Sequence, residues 1–434
     1  MKNLKFFINQ FDRLFPITRS ITGDGYRKSI KIIQENIPLK IFKFKSGVKI
    51  FDWRVPKEWV IKDAFISVKN KKIVDFNKNN LHVVNYSSPI NKNLNYKKLV
   101  KKIHYIKKTP NAIPYVTSYY KKDWGFCISY NKFKKIDKKA KFKAVIQSKF
   151  KNGNLEIGLA KLKGKSNKIF LISTYLCHPS MANNELSGPI VLQNLYNKIK
   201  KWKNRNLTYY FLINPETIGS IAFIKKFKNQ LNKQLHSGVV LTCLGGPKKT
   251  ISYKVSKNLV SPLDKIISYY SKRKNIKIRN FDPMDGSDER QYCSGNLNYP
   301  IGQFARTIYG KYKEYHTSAD NKKFINFKNV IQSSNDIEKI LKINDATKMI
   351  CRNIPECELQ LGKRGLYPNK NFHHSKKYKK LFFNINTKIM MAILSYADGK
   401  HNIYDIHFKT SEKVKDIKKV MNILIKKKLI YLSI

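Results

Sequence analysis

Acidic residues are scarce in this chain: 28 Asp and Glu stand against 87 Lys and Arg among 434 residues, a formal net charge of +59. A balance of this kind attracts polyanions. The lysines are nevertheless spread through every segment together with Asn and Ile, and they greatly outnumber arginine, so the charge reads chiefly as compositional bias. Specific nucleic-acid binding does not follow from it. The six cysteines (Cys127, Cys177, Cys243, Cys293, Cys351 and Cys357) form no Cys-x-x-Cys pair and no small-scaffold spacing, which excludes a zinc ribbon and a disulfide framework. No uninterrupted apolar run is long enough to span a membrane, and the segment Met1 to Asp12 is broken by polar residues too early for a signal peptide. A cytoplasmic protein without membrane insertion is the expectation. Internal repeats and low-complexity tracts are missing too.

What is present is enough apolar material for two or three domains, with 42% hydrophobic and 12% aromatic residues. Helical periodicity marks residues 3 to 15 and 26 to 36, with Thr22-Gly-Asp-Gly25 as the turn between them. From about Gly47 the texture becomes short β-type runs, at 51 to 59, 64 to 68 and 81 to 84, which predict a small β-rich insert over residues 47–124. The flanking segments, 1–46 and 125–345, then form one discontinuous domain. Within it strand-like runs at 142 to 149, 154 to 160, 169 to 174, 207 to 213, 238 to 242 and 301 to 306 accompany helical patterns near 188 to 201, 218 to 232, 261 to 273 and 326 to 343. Alternation of this kind predicts an α/β fold with a mostly parallel sheet flanked by helices. Residues 346–434 read as three helices, with a turn at Asp398-Gly399, and a terminal strand at 429 to 432, the order of a winged helix.

Chemistry-bearing residues recur after the strands. His178, Asn184 and Glu185 follow the run at 169 to 174; Asn214-Pro-Glu-Thr-Ile-Gly-Ser220 follows that at 207 to 213; Cys243-Leu-Gly-Gly246 follows that at 238 to 242. Farther on lie Asp285-Gly-Ser-Asp-Glu-Arg-Gln-Tyr292 and Tyr315-His-Thr-Ser-Ala-Asp320. Strand carboxyl ends of a parallel sheet share one edge, so these segments are expected to converge there. Two imidazoles with carboxylates suit zinc, which keeps a position for water when three protein ligands hold it. A further carboxylate would take that water's proton, and Glu216 is placed for this role.

The order His178, Ala182-Asn-Asn-Glu-Leu-Ser-Gly188, Pro215-Glu-Thr-Ile-Gly-Ser220, Gly286-Ser-Asp-Glu289 and Tyr315-His-Thr317 resembles the zinc aminopeptidase and glutaminyl-cyclase superfamily. The chain is still more similar to bacterial polysaccharide-biosynthesis proteins with an aminopeptidase-like domain, through Leu14 to Gly25, Phe51 to Trp59, Pro114 to Tyr120 and Trp124 to Cys127. That likeness covers nearly the whole chain and implies an aminopeptidase-like domain, a small insert and a carboxy-terminal winged helix. It also implies that His178 and His316 match the first and last zinc ligands and that Glu216 matches the general base. Thr217, Asn184 and Thr242 stand where acidic ligands are expected, which argues against two zinc ions. One zinc held by His178, His316 and one acid is the expectation, with Asn184, which offers only a neutral carbonyl oxygen, and Glu185 beside it as further candidate metal residues. Glu216 is then either base or ligand, and Asp288 or Arg290 orients a peptide or amide-containing small-molecule substrate.

Other readings compete. Cys177 beside His178 suggests a nucleophile, but adjacent residues at a strand end are expected to point apart. His373-His374 reads as a solvated pair in a lysine-rich connector. Trp53, Trp59 and Trp124 are expected in the insert's core, with stacking on a sugar as the other use of an exposed indole. Lys413, Lys415, Lys418 and Lys419 read as the solvated face of an amphipathic helix; the alternative is a DNA-binding regulator, or an inactive scaffold that keeps the pocket for ligand binding.

Overall fold

The computed structural model describes residues 2–366 and 387–434. Its centre is an eight-stranded sheet ordered Lys40–Lys45, Asn154–Leu162, Thr208–Asn214, Ile169–Tyr175, Leu235–Leu241, Ile301–Ala305, Ile251–Lys254 and Ile276–Arg279. The four middle strands are parallel, and antiparallel partners flank them. Every residue of Ile169–Tyr175 is buried. Phe170 and Ile172 enter one core while Ile169 and Leu171 enter the other, which is why this strand is apolar without alternation.

Helices Lys2–Leu14, Asp24–Gln34, Ser187–Lys200, Pro262–Tyr270 and Phe327–Ala346 supply the first core, and Ile218–Gln234 supplies the second. Ser187–Lys200 approaches the sheet closely at Gly188. A Cβ there would lie 2.2 Å from Thr174 Oγ1 and 2.7 Å from the Leu241 carbonyl oxygen.

The insert is a four-stranded antiparallel sheet ordered Lys71–Asp75, Glu58–Val68, Phe142–Lys151 and Ile90–Leu94. Its sheet thus runs past the expected limit at residue 124, because Phe142, Ala144 and Ile146 alternate into the insert's core. The β-type run at 81 to 84 is instead a short 3₁₀ turn, Asn80–His82, capped by Asn79, whose side chain accepts from the Leu81 N–H. Trp59 is buried in the insert core and Trp124 packs against it. Trp53 departs from expectation and is 37% exposed.

At the carboxy terminus, helices Thr387–Ser395, Ile403–Thr410 and Val414–Lys426 pack beside a three-stranded sheet. Met349–Arg352 lies between Asp398–Asn402 and Ile430–Ser433, completing a winged helix. The turn at Asp398-Gly399 proves to open the second of these strands. His373-His374 lies outside the described residues, and no described helix is long and apolar enough to cross a membrane.

Candidate active site

The parallel strands bring His178 and Glu216 to one sheet edge. Ile169–Tyr175 ends three residues before His178, and Thr208–Asn214 ends two before Glu216. His178 Nε2 lies 3.6 Å from Glu216 Oε2. His316 arrives from the loop after Ile301–Ala305, and its ring centre is 5.2 Å from that of His178. These three side chains line a cavity of about 370 Å3 with Cys177 and Thr217. The opposite wall comes from the insert, including Trp53, Tyr115, Tyr119 and Tyr120.

Glu185 is turned away from the cavity toward His178. Its Oε1 accepts from the His178 backbone N–H at 2.9 Å and its Oε2 accepts from Nδ1 at 2.8 Å. A carboxylate only accepts, so Nδ1 carries the proton and Nε2 is left for the cavity. Burial opposes charge on the imidazole, but the carboxylate at Nδ1 holds its pKa up. Arg19, fully buried, donates from Nε to the His178 carbonyl at 3.0 Å and fixes the backbone on the other side.

Asn184 is buried and faces a neutral network. The Tyr175 hydroxyl donates to its carbonyl oxygens at 3.0 and 3.1 Å and lies 2.6 Å from Thr242 Oγ1. Its Nδ2 has no hydrogen-bond partner among the described residues. Asn184, Thr242 and Tyr175 therefore bring together amides and hydroxyls where a second dication would need carboxylates.

Glu216 is held by Ser287, whose hydroxyl donates to Oε1 at 2.7 Å. Recessed from bulk water, its carboxyl has a raised pKa, chiefly from burial. Asp288 is fully buried and spent on structure. It accepts from Asn214 Nδ2 at 2.8 Å, the Thr217 N–H at 2.7 Å and Ser220 Oγ at 3.1 Å. It thereby braces Thr217, whose φ of +65° is rare for a β-branched residue. Burial, with Glu216 nearby, pushes the Asp288 carboxyl up to about 7. Arg290 is not brought to the cavity. Its nearest acceptors are the carbonyls of Ser287 at 3.5 Å and Pro283 at 3.4 Å, both on its own loop.

Cys177 and His178 do not point apart as expected, because the chain leaves the strand at Tyr175 and turns. Sγ lies 3.4 Å from Nδ1, yet burial pushes the thiol up to about 11, so it stays protonated near neutrality. Among the described residues, Cys177, His178 and Glu185 are also the cluster whose ligand-type atoms crowd within 4.8 Å. Glu185 spends both its oxygens on His178, so this cluster supports the imidazole from behind.

Sequence reasoning passed over two residues. Ser287 sits inside the quoted Asp285 to Tyr292 motif, where the neighbouring acids drew attention. Tyr115 packs its ring 5.0 Å from His178 and 5.4 Å from His316, and its N–H donates to the His316 carbonyl at 2.8 Å. The insert thus completes the site by holding the loop that carries His316.

Sheet order, inserted domain and strand-end histidine and glutamate together define an aminopeptidase-like α/β protein with a carboxy-terminal winged helix. A family profile described as "Domain of unknown function (DUF4910)" matches residues 8–347, and a winged helix-turn-helix profile matches 348–431. A Clostridium acetobutylicum protein, provisionally named a polysaccharide biosynthesis protein with aminopeptidase-like domain, is 38% identical over 415 residues, 94% of this chain and 92% of its own length. The crystal structure of a provisionally named peptidase from the same species is 35% identical with a TM-score of 0.80, covering 99% of this chain and 96% of that one. A zinc aminopeptidase from Bacillus subtilis shares the fold at 11% identity and a TM-score of 0.59, over 78% of this chain and 94% of its own. The chain belongs to the DUF4910 family, and its fold is aminopeptidase-like.

Proposed function

We propose that this protein is a zinc-dependent hydrolase of a peptide or amide bond, working in surface polysaccharide or glycan biosynthesis. The observation that carries the reading is the approach of His178 Nε2 to Glu216 Oε2, 3.6 Å apart on the cavity wall that His316 shares. Two imidazoles and one carboxylate form a donor set that zinc accepts with one position left open. Glu216 is the one carboxylate among the residues lining this cavity, so it is the acid of that set. When bound, zinc supplies a Lewis acid for a carbonyl and makes bound water acidic.

The protein's own residues supply the rest. Glu185 fixes the tautomer of His178, Ser287 holds one oxygen of Glu216 so that the other faces the imidazoles, and Tyr115 packs both histidine rings into place. Tyr119 and Tyr120 close the insert side and keep water from the reacting bond. Asp288 acts through Thr217 as a positioning residue.

Metal analysis tests this directly. Wild-type protein offered zinc is expected to retain one equivalent, and His178→Ala and His316→Ala to retain none. Hydrolysis of a panel of aminoacyl and N-acyl amides should disappear in Glu216→Gln. Absence of stoichiometric metal from the wild type would leave the inactive-scaffold reading in its place.

A further inference from the structure

Beside the catalytic cavity lies a second one, of about 550 Å3, and Trp53 lines both. Its walls come from Phe51 to Trp53 of the insert, from Ile221, Ile224 and Lys228 on the helix Ile218–Gln234, and from the turn at 291 to 297. That size suits a small ligand. Phe51 and Trp53 are 39% and 37% exposed, although aromatic rings of a small insert ordinarily go inside. The two rings are not equivalent. Lys225 and Lys228 place their ammonium groups 5.3 and 6.0 Å from the centre of Phe51, whereas the one ring contact of Trp53 among the described residues is with Tyr120, edge-on at 5.5 Å.

The side-chain amides of Gln291 and Asn296 line the same cavity as this indole, and neither has a hydrogen-bond partner among the described residues. A purely apolar ligand would bury these amides unpaired, which is unfavourable. Asp52 supplies the carboxylate and Lys228 the ammonium of the lining, with Lys225 close by over Phe51. An open indole and uncommitted neutral amides in one cavity match a pyranose, whose C–H face would lie on the ring while its hydroxyls meet the amides.

We infer that this cavity is a subsite for a neutral sugar, continuous through Trp53 with the pocket at Glu216. It rests on the hydrolase reading only in naming the substrate as an amide carried on a saccharide. Sugar binding itself needs neither the metal nor Glu216.

The test is calorimetric titration of the full chain, treated with chelator, using N,N′-diacetylchitobiose, maltose and cellobiose. At least one is expected to bind saturably below about 10 mM. Trp53→Ala should weaken that binding by about tenfold or more, and the double variant Gln291→Ala/Asn296→Ala should weaken it severalfold, while Trp124→Phe leaves it unchanged. Binding should also persist in Glu216→Gln, so that loss of hydrolysis there does not touch this inference. No saturable binding of any of the three sugars overturns it. So does binding that survives intact in both Trp53→Ala and the double amide variant.

Discussion

Nδ1 of His178 donates to Glu185 at 2.8 Å, so the orientation of the cavity's central imidazole is set by a carboxylate that does not itself reach the cavity. Outer carboxylates of this kind raise the basicity of a ligating imidazole and fix its tautomer. Glu185→Gln keeps the shape and removes the charge. Its zinc affinity, measured by competition with a chromophoric chelator, should fall by about 10- to 100-fold with the fold intact by circular dichroism. An unchanged affinity would mean that Glu185 does not tune this histidine.

Ser287 makes a separable contribution. Its hydrogen bond favours the ionised form of Glu216 and works against burial, which raises that carboxyl's pKa. In Ser287→Ala the pKa rises further, so the acid limb of kcat/KM against pH should move upward. A hydrogen bond to a charged group is worth about 1.5–3 kcal/mol, so the displacement should be about one to two pH units. A profile that falls uniformly without shifting would assign Ser287 to folding alone.

Why some of this site was legible and some was not follows from what each residue does. His178 and Glu216 are visible in sequence because they follow apolar strands whose ends must share an edge. The run at 169 to 174 was legible because burial on both faces makes it continuously apolar, and the amphipathic helices because burial of one face leaves a period. The roles of Asp288 and Arg290 were not separable in sequence, because an acid or a guanidinium in a turn looks the same whether it meets substrate or backbone. Asp288 meets Thr217, Asn214 and Ser220; Arg290 meets its own loop. Asn184 is met by the Tyr175 hydroxyl, at the end of a strand, and by the Asp320 carboxylate from a distant loop, and no local pattern announces them. Strands Met349–Arg352 and Ile251–Lys254 have four residues each, too few for alternation to stand out.

The close approach at Gly188 gives a stability test away from chemistry. A methyl group there meets the Leu241 backbone carbonyl at 2.7 Å as well as Thr174 Oγ1, and a backbone carbonyl in the central sheet cannot step aside. Overpacking of this sort costs about 1–3 kcal/mol or more. Gly188→Ala should therefore lower the melting midpoint by several degrees, at roughly 2–4 °C per kcal/mol for a domain of this scale. An unaltered midpoint in calorimetry would contradict the tight contact between this helix and the sheet.

Asp288 predicts how stability varies with pH. Burial and the charge of Glu216 push its carboxyl up to about 7 in the folded protein, whereas an unfolded aspartate titrates near about 4. Between these values the folded state keeps a proton that the unfolded state has lost. Stability must therefore fall as pH rises through that window, by up to about 1.4 kcal/mol per pH unit from this group. Asp288→Asn removes the titration. The asparagine oxygen can still accept from Thr217 and Ser220, while its amide meets Asn214 Nδ2 donor to donor, so a constant loss of stability is expected as well. Asp320, raised to about 6 chiefly by burial, contributes a slope of the same sign and remains in the variant. Melting midpoints between pH 5 and 7, with chelator present, should thus decline less steeply in Asp288→Asn than in the wild type. Parallel curves would show that Asp288 is already ionised throughout this range in the folded protein.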